Sequence, residues 1–413
     1  MPSTPDADSV LIDSALLRQN WSYRHFISSR VLSSLALNGV TVAVGWLIYD
    51  QTNSAFALGL VGLVQFLPVL LLTFVVGQVA DRYDRRRIGL ICQLIEAVTV
   101  ATMALGVWQG WLGTTGIYVG MAVLGCAIAF ERPTMAALLP GIVPSSMLQR
   151  AIATSTSFMQ GAIVVGPALG GLLYGVGPVI PFGVSALFFA GAAFNVIRIH
   201  RPAAVQDREP VTLQSVFAGV GFIKSRPIIL GTLSLDLFAV LLGGITSLLP
   251  IFARDILHAG PWALGFLRAA PAVGAFSMSI WLARHRLERN VGQTMLIAVA
   301  VFGLATIIFA LSTNIILSVA LLVVLGASDT VSVVIRSSLV QLLTPDAMRG
   351  RVNAVNSLFI GASNQLGEFE SGMVAGLLGP VGAGIFGGVG TILIVLAWAR
   401  MFPALRKVQT LSG

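Results

Sequence analysis

The chain has 413 residues, 56% of them hydrophobic and 10% charged, with a net charge of +8 and a mean hydropathy of +0.89. A water-soluble domain carries about 25% charged residues, so this composition excludes a soluble globular protein. The basic balance fits loops lying against an anionic inner leaflet and is no evidence for nucleic-acid binding.

Apolar stretches of about 20 residues, the length that crosses a bilayer, recur from end to end. They predict twelve spans: 25–49, 56–79, 88–108, 117–139, 151–174, 178–197, 228–250, 262–283, 292–311, 315–338, 352–377 and 381–400. The runs are too long for a β-barrel and lack its period-2 alternation, so the expected fold is all-α. The first 20 residues carry Asp6, Asp8 and Asp13 and no long apolar core, so no cleavable signal peptide is expected. The first span is interrupted by Arg30, Ser33, Ser34 and Asn38, which predicts a face turned to protein or to an aqueous cavity. Between spans two and three stands the charged run GQVADRYDRRR at 77–87.

With the amino terminus placed inside, 21 of the 25 Lys and Arg fall on cytoplasmic segments and helix edges; the others are Arg132, Arg254, Arg268 and Arg336. That asymmetry is the positive-inside signal. It predicts a multi-pass protein of the bacterial inner membrane with both termini cytoplasmic. Cys92 and Cys126 fall in spans and suggest no disulfide. His25, His200, His258 and His285 show no metal-ligand spacing.

The longest polar stretch, 198–227, divides the chain into an amino-terminal bundle (1–197), a cytoplasmic linker and a carboxy-terminal bundle (228–413). Within the linker, 211–223 is read as an amphipathic helix on the inner face. The halves echo each other at an offset of 201 residues. Pro144, Met147, Arg150, Ala153 and Phe158 match Pro345, Met348, Arg351, Ala354 and Phe359, and Gly166 and Gly171 match Gly367 and Gly372. A duplicated six-span unit predicts two pseudo-symmetric bundles that rock about a central site.

On these residues the chain resembles the major facilitator superfamily, and within it the bacterial branch of siderophore and drug exporters. The likeness covers nearly the whole chain. It is carried by YDQTNSAFALGLVGL (49–63), GQVADRYDRRR (77–87), GPALGG (166–171), the run 327–359 and NQLGEFESG (364–372). The resemblance implies a conformational latch at Gly77, Asp81, Arg82, Arg85 and Arg86, with Asp81 capping the third span or pairing with a nearby Arg such as Arg132. Span five carries Gly161, Gly166, Pro167, Gly170 and Gly171. Glycines on one face admit a close neighbour helix and the proline can bend the span. The resemblance reads the same pattern as an exporter signature.

Charges inside spans are costly, so each is expected to be paired or to face a wet cavity. They are Glu96, Glu131, Arg132, Asp236, Arg268, Asp329, Arg336, Glu368 and Glu370. Asp236, the lone charge of span seven, is the first proton-coupling candidate, unless it serves as a structural pair with Arg268 or another cation. Glu368, Glu370 and Glu96 are the others. Glu368 and Glu370 lie about 200° apart around a helix, so only one can face a given cavity squarely. Asp329 and Arg336 share a face two turns apart, and the pair is read as having either a structural role near the inner gate or a part in transport chemistry. Asn38, Trp46, Gln65, Phe66, Gln160, Asn356, Asn364 and Gln365 are cavity candidates, a lining suited to an amphipathic organic solute.

The expected activity is export of such a solute, a siderophore or a drug-like compound, by proton antiport and alternating access. Proton- or ion-coupled uptake and a non-transporting receptor or scaffold are the alternatives. No GxxxxGK[ST] run is present, and the intramembrane polar residues form no nucleophile–base–orienter set. Neither an enzyme, a metal nor a cofactor is therefore expected. The expected partners are the solute, protons and membrane lipids, with the chain a monomer.

Overall fold

The structure is a computed structural model, and it describes residues 19–200, 213–285 and 289–410. Among them no strand occurs. The helices are α1 (Trp21–Thr52), α2 (Ala55–Arg82), α3 (Arg85–Gln109), α4 (Thr114–Leu138), α5 (Leu148–Val176) and α6 (Ile180–Arg198). They continue with α7 (Leu213–Ser225), α8 (Pro227–Leu242), α9 (Pro261–Arg284), α10 (Val291–Leu311), α11 (Ile315–Leu343) and α12 (Asp346–Met401).

Eleven helices among the described residues are long and apolar enough to cross a membrane. The last of them, Met348–Met401, has 54 residues, about 80 Å at 1.5 Å per residue against a hydrocarbon core of about 30 Å. It breaks at Gly379, where φ is 76° and ψ 166°. Only glycine adopts that backbone without strain, and Pro380 behind it removes the next amide donor. The single long helix is therefore two spans, which brings the described spans to the twelve that the sequence predicts.

The exposed faces of the helices are apolar as well as the buried ones, unlike those of a soluble bundle. On α3, Ile91, Leu94, Ile95, Val98, Leu105 and Trp108 are exposed at helical spacing, while Cys92, Gln93, Glu96, Val100 and Met103 are buried. Lipid solvates the first set and protein the second.

The chain forms two compact units. The first comprises 1–43 and 65–210, the second 44–64 and 211–413. In the first unit, one core gathers Tyr23, Phe26, Met135, Leu138, Ala151 and Val196, and the Tyr23 hydroxyl donates to the Ala151 carbonyl at 2.8 Å. In the second unit, Leu235, Met295, Val299, Ile335 and Leu339 form the larger core. A smaller one joins Ile223 of α7 to Ile229, Val352 and Val355.

The internal duplication is visible in the backbone. Just before α5, the Met147 amide donates to the Pro144 carbonyl at 3.0 Å; just before α12, the Met348 amide donates to Pro345 at 2.9 Å. Two departures from the predicted spans have local causes. The seventh is not one straight helix over 228–250: α8 stops at Gly243, and 3-10 and π turns follow over 245–256. A side chain at Gly244 would run into the Gly367 carbonyl of α12, so the chain breaks where α12 crosses it. A helix is present over Leu213–Ser225, overlapping the expected 211–223; residues 201–212 of the linker lie outside those described.

Candidate transport site

The loop after α2 holds helix ends of the first unit. Asp84, rather than Asp81, caps α3: its side chain accepts from the Arg86 amide at 2.9 Å. Arg85 donates to the Ala137 carbonyl at the end of α4 at 3.2 Å. Arg86 Nε donates to Val196 at 3.1 Å, and its other arm reaches the Ile197 carbonyl. Cations on the free carbonyls of helix C-termini are favoured by hydrogen bonding and by the helix dipole. Arg82 and Arg132 are exposed. Gly77 and Asp81, expected in the latch, have side chains outside the described residues.

On α5, the tight approach is made by Gly166 and Gly170. A Cβ on Gly170 would stand 2.7 Å from the Cα of Gly39, and one on Gly166 2.7 Å from the Asn38 Cβ. Pro167 and Gly171 are buried in the same stretch. Gly161 takes no part: a Cβ there would meet nothing within 4 Å. Asn38 is spent on packing, its amide donating to the Ser34 carbonyl at 2.8 Å. Gln65 lends its backbone carbonyl to a close approach by Gly125. Phe66 and Gln160 are half-buried.

Also in the first unit, Ser29 of α1 and Gln93 of α3 bond to each other, the Gln93 amide donating at 2.8 Å. One turn further along α3, Glu96 is 1% exposed, and its Oε2 has no hydrogen-bond partner. Glu131 of α4, 3% exposed, pairs with Arg30 of α1 at 3.5 Å.

In the second unit, Asp236 of α8 pairs with Arg336 of α11, so neither Arg268 nor Asp329 is the partner. Both members are buried, and the Arg336 Nε has no acceptor. Asp329 is half-buried. Around α12, Glu368 lies beside Gln365 and the backbone of Gly62, where a Cβ would be 2.8 Å from the Glu368 Oε2 and 2.9 Å from the Gln365 Oε1. Arg268 of α9 interacts electrostatically with Glu368. A Cβ on Gly45 of α1 would be 3.7 Å from one of the Arg268 guanidinium nitrogens. The Arg268 Nε, Gln365 Oε1 and Asn356 Oδ1 are buried without hydrogen-bond partners. Glu370 accepts from the Ser371 hydroxyl at 3.4 Å. Asn364 is exposed and Trp46 half-buried.

Sequence reasoning passed over a polar group at 49–50 and 254–255. Arg254 pairs with Asp50 at 3.2 Å and lies over the Tyr49 ring, 5.6 Å from its centre; the Tyr49 hydroxyl donates to Asp255. The π turn that carries Arg254 and Asp255 leaves no signal in a hydropathy profile.

Membrane-spanning helices in a duplicated six-span pattern, with charges buried inside them, define a polytopic transporter of the major facilitator superfamily. The chain belongs to that superfamily's transmembrane secretion effector family, whose model matches residues 15–411. It is 25% identical to the enterobactin exporter EntS of Escherichia coli O1:K1 / APEC over 97% of this chain and 96% of that protein. The enterobactin exporter EntS of Escherichia fergusonii gives the same identity over the same shares. Among solved structures, a bacterial homolog of the lysosomal transporter Spinster, inward-facing and occupied, has a TM-score of 0.74 at 14% identity, covering 94% of this chain and 97% of that one. A bacterial homologue of the iron transporter ferroportin has a TM-score of 0.70 at 15% identity, covering 94% and 98%. These two share the fold.

Proposed function

We propose that the chain is a secondary transporter of the bacterial inner membrane that exports an amphipathic organic solute in exchange for protons. The observation that carries the reading is the set of buried polar atoms left without partners in the second unit. They include the Arg268 Nε on α9 and the Gln365 Oε1 and Asn356 Oδ1 on α12. A buried donor or acceptor without a partner costs free energy, so a solute that supplies an anionic or hydrogen-bonding head and an apolar body would be held there. Arg268 would bind the anionic head, and Glu368, its electrostatic neighbour, would compete with that head for the guanidinium.

The full-length similarity to enterobactin exporters supports export and a siderophore-like substrate, with drug-like compounds as the second substrate class. Asp236 is already matched by Arg336, so the proton falls to Glu96, Glu368 or Glu370. Positive charge on the α2–α3 loop and on Arg349 and Arg351 supports cytoplasmic termini by the positive-inside rule. The working chain is a monomer whose basic loops lie on anionic lipid.

Everted membrane vesicles test direction and class together. Respiring vesicles bearing the protein should accumulate a catecholate siderophore or a lipophilic drug, and a protonophore should abolish the accumulation. Accumulation only in right-side-out vesicles would overturn export in favour of uptake.

A further inference from the structure

Two carboxylates of the first unit stand where no solute contact is needed to explain them. Glu96 of α3 is 1% exposed and Glu131 of α4 is 3% exposed, and they lie close enough to repel each other electrostatically. The ion-paired cation beside them is Arg30 of α1, half-buried with its side chain 19% exposed and 3.5 Å from Glu131; Glu96 feels both Arg132 and Arg30. Arg132 follows Glu131 but is exposed, where water screens it. Cys92, one turn before Glu96, is a buried thiol. The charged residue of α6, Arg198, lies over the Phe194 ring.

The group therefore holds two acids and one matched cation. Among the described residues Glu96 has no ion pair, and its Oε2 has no hydrogen-bond partner. A second orphan lies on the same face of α4: the Thr134 hydroxyl, 0% exposed and unpartnered, one turn after Glu131. Ionised together, the two carboxylates would leave one buried negative charge uncompensated, which an apolar interior does not tolerate.

We propose that Glu96 and Glu131 form a single proton-binding site, with Arg30 as the cation they share. In the arrangement seen, Arg30 neutralises Glu131 and the proton sits on Glu96. When Arg30 turns to Glu96, that proton passes to Glu131 and charge still balances; release of the proton to water leaves one net negative charge and so requires the site to open to water. The Ser29–Gln93 bond, one turn away, holds α1 against α3 at the register this exchange needs. The site gives the proton-exchange reading its proton carrier and rests on that reading for its role, though not for its test.

The test is infrared difference spectroscopy of the purified protein in lipid nanodiscs, reading the carbonyl stretch of protonated carboxyl groups near neutral pH. Wild type should show a carboxylic-acid band that Glu96→Gln removes. Glu131→Gln should remove the same band, because Arg30, released from Glu131, then neutralises Glu96. The double variant should lose no more than either single one. A band that survives in folded Glu96→Gln, or that Glu131→Gln leaves unchanged, overturns the site. Should Glu96→Gln not fold, Glu131→Gln read alone carries the decision. Bands that behave as expected, in a protein that moves no proton with any solute, uphold the site and refute the exchange reading instead.

Discussion

Replacing Asp236 by Asn separates a structural from a coupling role at this position. The Asp236 and Arg336 side chains are 7% and 3% exposed, and the Arg336 Nε already lacks an acceptor. Asn keeps the volume but withdraws the charge, leaving a buried guanidinium uncompensated. Breaking such a pair on one side costs about 3–5 kcal/mol, whereas replacing both partners is often neutral or better. Equilibrium unfolding of the purified protein in mixed micelles should therefore show Asp236→Asn less stable by about 3–5 kcal/mol. The double variant Asp236→Asn/Arg336→Gln should regain most of that loss, a coupling that a double-mutant cycle isolates. A single variant that costs under about 1 kcal/mol, or a double variant as unstable as the single one, would refute the argument. Loss of transport in Asp236→Asn would then report coupling chemistry rather than loss of fold.

The remaining predictions concern packing and helix ends. Gly170→Val drives a side chain into the Gly39 backbone, 2.7 Å from where a Cβ would stand; thermal unfolding should register about 1–3 kcal/mol of destabilisation, as for other overpacked sites. Gly161→Val, with open space around it, should leave the same melting curve unchanged. Arg86→Ala removes the donors to Val196 and Ile197, and charged hydrogen bonds of this kind contribute about 1.5–3 kcal/mol each. Hydrogen exchange should accelerate at the carboxyl end of α6 first. Gly379→Ala forces a side chain onto a φ of 76° and should cost about 1–2 kcal/mol, read as a lower melting temperature.

Much of the fold was legible because the bilayer imposes a length that hydropathy reports directly. Each predicted span overlaps an observed helix, and the 201-residue echo reappears as matched backbone bonds before α5 and α12. The break at Gly243 and the π turn at 252–256 were not legible. The first lies beside Gly244, where the backbone of Gly367 approaches, and a run of apolar residues reads alike whether or not it is crossed.

The site was legible as a set of residues and not as a set of pairs. Every buried charge discussed above stands out in a hydrocarbon sequence. Which one meets which depends on helix rotation, which apolar stretches do not encode. Asp236 was therefore expected to couple protons or to pair with Arg268 or another cation, and the structure pairs it with Arg336, while Glu131 found Arg30 across 101 residues. Likewise α3 is capped by Asp84 instead of Asp81, since two aspartates three residues apart offer the same cap chemistry until the helix start is fixed.

The central claim is that outward movement of solute is tied to inward movement of protons, and proteoliposomes test it most directly. Purified protein is reconstituted, a pH gradient is imposed, and an internal pH dye is followed as catecholate siderophores, lipophilic cations and uncharged drugs are added in turn. The account predicts a proton flux triggered by one class of solute and absent from liposomes without protein. Solute movement that leaves the pH trace flat, in protein shown to be folded, would contradict it.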